Sequence, residues 1–291
     1  MKNVLNSENN IFVLRDGRKL GYAEYGDPHG KPIFFFHGWP SSRLQAQNLD
    51  LIGKNLQIRI ISPDRPGYGL SDFKIDRTLL SWPDDIVELA DKLNIHKFSI
   101  IGLSGGGPYA AVCAYKIPER IIKSGIVVGL SPTNIEGVLQ GMAFLNKLVW
   151  RNYHRFPILM KISASVAFLE ARRYLPQNVS LAYRAKADQA ILSSKEVKNT
   201  LIRNRSEAFR QGKKGCAMDL KLYTDDWEFD LKKISGEVLL WYGEADKNVS
   251  LEMGKYYASQ IPNSRLTIYP NEGHMIIRTH TEEILTALMN R

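Results

Sequence analysis

Three observations predict an α/β fold with a mostly parallel sheet. Short, continuous apolar runs recur along the chain, and such runs suit strands covered on both faces. Helix-patterned stretches separate several of these runs, the alternation that builds parallel sheets. A long helical segment without comparable runs interrupts the series between residues 131 and 225.

Taken in order, residues 10–14 and 19–25 read as strands joined by a turn at Asp16-Gly17, an opening hairpin. Ile33 to Phe36 is wholly apolar. Similar runs follow at 58–61, 98–101, 125–128, 238–242 and 266–269, which brings the predicted sheet to eight strands. Between them, Pro83 to Leu93 has helical spacing: Ile86, Leu89, Ala90 and Leu93 share a face, Pro83 stands near the start, and Asp84 and Asp85 occupy the first turn, where acids are favoured. Pro108 to Lys116 is a helix-compatible, Ala-rich stretch. In the interrupting segment Val138, Met142, Leu145 and Val149 fall at helical spacing, Leu201 to Phe209 follows, and Pro132, Pro157 and Pro176 punctuate the text. The expected organisation is a core of residues 1–130 and 226–291 with a helical insertion at 131–225. Phe144, Trp150, Phe156, Met160 and Phe168 are expected to pack inside that insertion, some of them roofing a pocket.

Composition narrows the class. With 291 residues, 44% hydrophobic and 24% charged, the chain is an ordinary globular protein and not a disordered, collagen-like or disulfide-framework one. A chain of this size buries roughly 75% of its unfolded surface, so it needs no metal or disulfide staple. The two cysteines, Cys113 and Cys216, point to a reducing compartment. The N-terminal MKNVLNSENN has no signal-peptide apolar run, and no apolar stretch reaches the ~18 residues of a membrane helix. A cytoplasmic protein without a membrane partner is therefore expected, and the sequons at Asn178, Asn204 and Asn248 are expected to be idle. The net charge of +9 belongs to residues 131–225, which hold 16 Lys/Arg against 7 Asp/Glu, while the rest of the chain is balanced. This is either a solvated helical face or a lid that draws in anionic substrates. No nucleic-acid motif accompanies it. No dinucleotide fingerprint, P-loop, HExxH or paired-Cys motif occurs, so no cofactor and no metal are expected.

One motif carries chemistry. Gly102-Leu103-Ser104-Gly105-Gly106 fits G-x-S-x-G, follows a strand immediately and opens a helix. A serine on that sharp turn points outward, and small residues at 102 and 106 let the backbone close up. A serine hydroxyl needs a base. Of six histidines, His274 sits on a loop at the carboxyl end of the last strand, on the same sheet edge as Ser104. His280 falls on the next helix, His29 and His96 in polar connections, His154 in the insertion. The base needs an orienting carboxylate. Asp246, past the strand at 238–242, is the candidate; Glu244 is its nearest rival, and Asp219, Asp225 and Asp226 are lesser ones. Oxyanion donors are expected at the Gly105 N–H and at the Trp39 N–H of the loop His37-Gly38-Trp39-Pro40, since Pro40 has no N–H. His37 is expected to hold that loop.

Four segments, FFFHGWP at 34–40, DRPGYGLSD at 64–72, GLSGGGPYA at 102–110, and YGEADKNVS with NEGH at 242–250 and 271–274, together resemble the α/β-hydrolase fold-1 family, across about residues 10–290. The order Ser104, Asp246, His274 is that family's order. The resemblance implies a cap at 131–225, a structural loop at Asp64 and Arg65, and a Ser-His-Asp site needing no cofactor. Family members that use an Asp nucleophile, the haloalkane dehalogenases and epoxide hydrolases, are disfavoured by Ser104. The expectation is a carboxylesterase-like serine hydrolase acting on a small acyl substrate, with an anionic substrate left open by the basic cap. Two alternatives share the same residues: a non-catalytic small-ligand receptor or signalling protein, and a C–C bond hydrolase of the meta-cleavage type.

Overall fold

The computed structural model describes residues 8–153, 155–172 and 185–290. Eight strands form one sheet: β1 (Asn10–Val13), β2 (Lys19–Gly26), β3 (Lys31–Phe36), β4 (Ile58–Pro63), β5 (Phe98–Leu103), β6 (Ile121–Val127), β7 (Val238–Gly243) and β8 (Ser264–Tyr269). Their spatial order is β1-β2-β4-β3-β5-β6-β7-β8. The first two pairings, β1 with β2 and β2 with β4, are antiparallel, and the others are parallel. The predicted mostly parallel sheet is thus present. Strand β6 starts earlier than its apolar run: Lys123 and Ser124 interrupt the hydrophobic text, and the pairing with β5 shifts register there, between Phe98–Ile121 and Ile100–Ser124, but the strand continues.

Helices α1 (Asp50–Asn55), α2 (Trp82–Lys92) and α3 (Gly107–Lys116) alternate with the strands, as do α9 (Leu251–Gln260), α10 (Ile276–Thr279) and α11 (Thr281–Met289) near the end. The central strands bury both faces, so successive side chains enter two different cores. Phe34, Phe36, Phe98, Ile100 and Leu240 pack with α2, α3 and α9. Ile33, Phe35, Ile101, Leu103 and Trp241 pack with the other layer, which includes Ile284 and Leu285 of α11.

Between β6 and β7 the described chain forms five helices, α4 (Phe144–Asn152), α5 (Ile158–Ala171), α6 (Lys186–Ser193), α7 (Lys195–Ala208) and α8 (Lys214–Thr224). Two expectations fail here. The spacing of Val138, Met142, Leu145 and Val149 does not mark one helix: the chain turns through 135–142, where Gly137 and Gly141 adopt φ of +87° and +85°, and α4 starts only at Phe144. The bulky residues also do not all pack inward. Met160 is buried, and Trp150 and Phe168 are half-buried, but Phe144 is 76% and Phe156 48% exposed. His154, Pro176 and the sequon at Asn178 lie outside the described residues. Asn204 is buried, with its side chain bonded to Ser41 and Ser42, and so offers no glycosylation surface. Both cysteines are free and buried.

Candidate active site

The carboxyl ends of the parallel strands bring the chemistry together. Ser104 follows β5 directly and takes φ of +55°, a left-handed conformation costly for a residue with a Cβ. The turn is held by crowding. A Cβ on Gly102 would lie 2.3 Å from the Gly106 carbonyl oxygen, and one on Gly106 would lie 2.1 Å from that of Phe36. Only glycine admits that approach, so the serine is held in a tight turn just before α3, buried and 8% exposed.

The loop after β8 carries His274. Its Nε2 lies 3.0 Å from Ser104 Oγ, and its Nδ1 lies 2.7 Å from Asp246 Oδ2. A carboxylate only accepts, so the proton sits on Nδ1, and Nε2 accepts from the serine hydroxyl. Asp246 is buried, and its other oxygen accepts the N–H groups of Asn248 (2.7 Å) and Val249 (3.1 Å). That fixes the carboxylate plane, hence the imidazole. The rival acids are elsewhere: Glu244 is exposed, Asp225 pairs with Lys221, and Asp226 accepts from the Glu228 N–H. His280 stacks on Tyr269, away from this chain of bonds.

Asp219 has a different position. It is fully buried on α8, accepts from Arg65 Nε at 2.8 Å, Tyr68 Oη at 2.6 Å and Tyr109 Oη at 2.7 Å, and pairs with Arg77. Burial pushes its carboxyl up, but the Arg65 and Arg77 cations outweigh this and hold it far below the ordinary range. The cluster braces the loop after β3. Arg65 donates to the carbonyls of His37 and, at 3.0 Å, Gly38. Burial and then the Arg65 cation depress the His37 pKa well below the ordinary histidine value, so the ring is neutral. Its Nδ1 donates to the Gly38 carbonyl at 2.9 Å, and its Nε2 accepts from the Arg65 N–H at 3.3 Å. Two donors thus converge on the carbonyl of the peptide whose N–H belongs to Trp39. Arg65 thus holds the loop after β3 directly, through its carbonyls.

Trp39 and Gly105 adjoin one another: a Cβ on Gly105 would lie 2.9 Å from Trp39 Cβ and 3.1 Å from its backbone nitrogen. Gly105 sits in the 3-10 turn that leads into α3, at the end of the helix where N–H groups lack helical partners. On the rear of this pair Tyr223 Oη donates to the Gly105 carbonyl at 2.8 Å, and Trp39 Nε1 donates to the Cys216 carbonyl at 2.9 Å.

One residue escapes a reading of the sequence. Asp188, on α6, is buried, and its carboxylate accepts the backbone N–H groups of His274 (2.8 Å) and Met275 (2.9 Å). A Cβ on Gly273 would lie 2.4 Å from that carboxylate, so the approach requires glycine there. The histidine loop is thereby tied to the helical segment. The pairing spans 86 residues, and nothing local in the text signals it.

Two cavities meet at Ser104, each bordered by Trp39, Pro40, Arg205 and Asn248. One, of about 160 Å³, reaches His274, Lys198 and Arg278. The other, of about 360 Å³, has a largely apolar wall that includes Val149, Trp150, Ile162 and Leu220. Among the described residues no group of acids, histidines and cysteines is arranged to hold a metal ion, and no helix is long and apolar enough to cross a membrane.

Comparison with known proteins places the chain in a family. The alpha/beta hydrolase fold family model matches residues 31–281. The chain belongs to that family. It is 25% identical over 281 residues to a non-heme chloroperoxidase of Streptomyces lividans, covering 92% of this chain and 93% of that protein. It is 26% identical over 298 residues to a bifunctional esterase/perhydrolase of Acinetobacter calcoaceticus, covering 94% and 95%. An esterase from Exiguobacterium antarcticum superposes with a TM-score of 0.71 at 19% identity, covering 97% of this chain and all of that one, a likeness of fold.

Proposed function

We propose that this protein is a serine hydrolase that cleaves small carboxylic esters through an acyl-enzyme on Ser104. The carrying observation is the unbroken chain Asp246–His274–Ser104, with bonds of 2.7 and 3.0 Å, at the junction of two cavities. Ser104 Oγ attacks the carbonyl carbon as its proton passes to His274 Nε2. Asp246 keeps the ring in the reactive tautomer and stabilises its charged form. The carbonyl oxygen gains negative charge between the N–H groups of Trp39 and Gly105, which are fixed from behind and need no reorganisation. The tetrahedral adduct collapses, His274 returns the proton to the departing alkoxide, and an acyl-serine remains. Water, deprotonated by the same imidazole, attacks that ester, and the acid and free serine are released. Residues 131–225 serve as the cap over this site. The relative named esterase/perhydrolase supports the ester chemistry.

The test is turnover of short p-nitrophenyl esters by purified protein. The proposal expects at least about 1 s⁻¹ on a good ester, the low end of ordinary enzymes. It also expects a loss of at least about 10³-fold in kcat for Ser104→Ala, as in triad knockouts. Unchanged turnover by Ser104→Ala overturns the nucleophile assignment. Slow turnover of every ester favours the receptor reading, and activity confined to vinylogous diketone acids favours the C–C hydrolase.

A further inference from the structure

The smaller cavity is charged in one sense only. Lys198 and Arg205 reach it from α7 and Arg278 from α10, and among the described residues no Asp or Glu lines it. The other cavity, by contrast, has both Glu170 and Arg205 in its wall.

Arg278 is the unusual member. Among the described residues its buried Nη2 has no hydrogen-bond partner. Burial lowers the Arg278 pKa, and the Glu196 charge acts on the guanidinium in the opposite sense. A buried charged donor left without an acceptor is costly, and such groups in folded proteins call for a ligand, water or ion to complete them. The side chain is also well placed. It follows Ile276 and Ile277, both buried in the sheet core, so its backbone is anchored, and it shares the cavity wall with Ser104 and His274. A guanidinium presents parallel N–H donors that match the two oxygens of a carboxylate.

We propose that this cavity binds a carboxylate on the substrate, with Arg278 as the principal donor and Lys198 and Arg205 supplying the surrounding positive field. This rests on the serine hydrolase reading and narrows it. The preferred substrates are esters with one anionic arm: half-esters of short dicarboxylic acids, or esters whose departing alcohol bears a carboxylate. The uncharged arm occupies the larger cavity, whose wall is largely apolar. The cleaved bond remains the ester C–O bond, and the carboxylate takes no part in proton transfer.

The experiment compares kcat/KM for matched anionic and neutral esters. On the acyl side the pair is mono-p-nitrophenyl glutarate and p-nitrophenyl valerate; on the alcohol side it is para-acetoxybenzoate and para-tolyl acetate. Wild-type protein is expected to prefer the anionic member of one pair, with the preference falling as NaCl is added. Arg278→Gln is expected to cut that preference by about 10- to 100-fold, mostly through KM, the size of a charge-assisted contact, with Arg278→Lys between the two. Equal or better use of the neutral esters in both pairs by wild type overturns the proposal, as does a preference that survives Arg278→Gln. Wild-type data alone decide the first point if the variants do not fold. Calorimetric titration of folded Ser104→Ala with glutarate needs no turnover. Binding that Arg278→Gln abolishes supports the carboxylate site even if ester hydrolysis fails, whereas binding of inorganic phosphate but not glutarate overturns it.

Discussion

Replacing Asp188 by alanine tests whether the helical segment positions the histidine. The wild-type carboxylate accepts two backbone N–H groups, at 2.8 Å from His274 and 2.9 Å from Met275. Hydrogen bonds to a charged group contribute about 1.5–3 kcal/mol each. His274 and Met275 are half-buried, so water replaces part of what is lost, and a net destabilisation of about 2–3 kcal/mol is expected. At about 2 °C per kcal/mol for a chain of this length, the midpoint falls by roughly 4–6 °C. The catalytic effect is separate. With its backbone released, the loop no longer holds Nε2 at 3.0 Å from Ser104 Oγ. A displacement of about 1 Å in such a contact costs on the order of 10²-fold in rate. The assay is kcat and KM on a p-nitrophenyl ester, beside the rate of fluorophosphonate labelling and thermal melting. The account predicts that kcat and labelling rate fall together by about 10²-fold, with KM far less altered. Asp188→Asn, whose amide oxygen still accepts, should recover part of both. A variant that melts several degrees lower but keeps kcat within about twofold would show that the two bonds stabilise the loop without positioning the ring, and the reasoning would fail.

Two other outcomes follow from the buried cluster behind the loop His37–Pro40. Arg65→Lys cannot reach Asp219 and the carbonyls of His37 and Gly38 together, because an ammonium lacks the guanidinium's planar fork. Steady-state kinetics should show a kcat loss approaching the ~10²-fold of a lost oxyanion donor, with KM nearly constant; a folded variant with wild-type kcat would contradict this. The second outcome concerns acid. His37 is neutral in the folded protein with its pKa depressed, whereas the unfolded chain takes up a proton near the ordinary histidine value of about 6.5. Below that pH the unfolded state binds more protons, so the His37 contribution is fully present above about pH 6.5 and is lost on acidification, by up to about 1.4 kcal/mol per pH unit. Denaturant unfolding of wild type and His37→Gln between pH 7 and 5 should differ in slope by about one proton; parallel curves would exclude the effect.

Much of this architecture is legible in the text because its signals are local. Runs such as Phe34 to Phe36 and Val238 to Tyr242 are buried on both faces and read as strands without ambiguity. The glycines around Ser104 mark a turn that only glycine permits, and the strand-end positions of Asp246 and His274 place them on the rim that Ser104 occupies. Where the text misleads, the cause is equally physical. Periodicity from Val138 to Val149 resembles a helix, but the two left-handed glycines at 137 and 141 break it. Phe144 and Phe156 resemble core residues, because hydrophobicity alone does not tell which face of a helix meets a neighbour. In the text alone Asp219 is one of several candidate orienting acids; its two arginine partners lie 154 and 142 residues away, a pairing that no local pattern reveals. Asp188 is hidden for the same reason.

The most direct test of the central claim is reaction of the folded protein with a fluorophosphonate, followed by mapping of the modified peptide. Labelling requires the nucleophile, the base and the oxyanion donors to act at one place. The account predicts modification of Ser104 alone, abolished in Ser104→Ala and strongly slowed in His274→Ala. Modification of any other serine, or a folded protein that does not react, would contradict it.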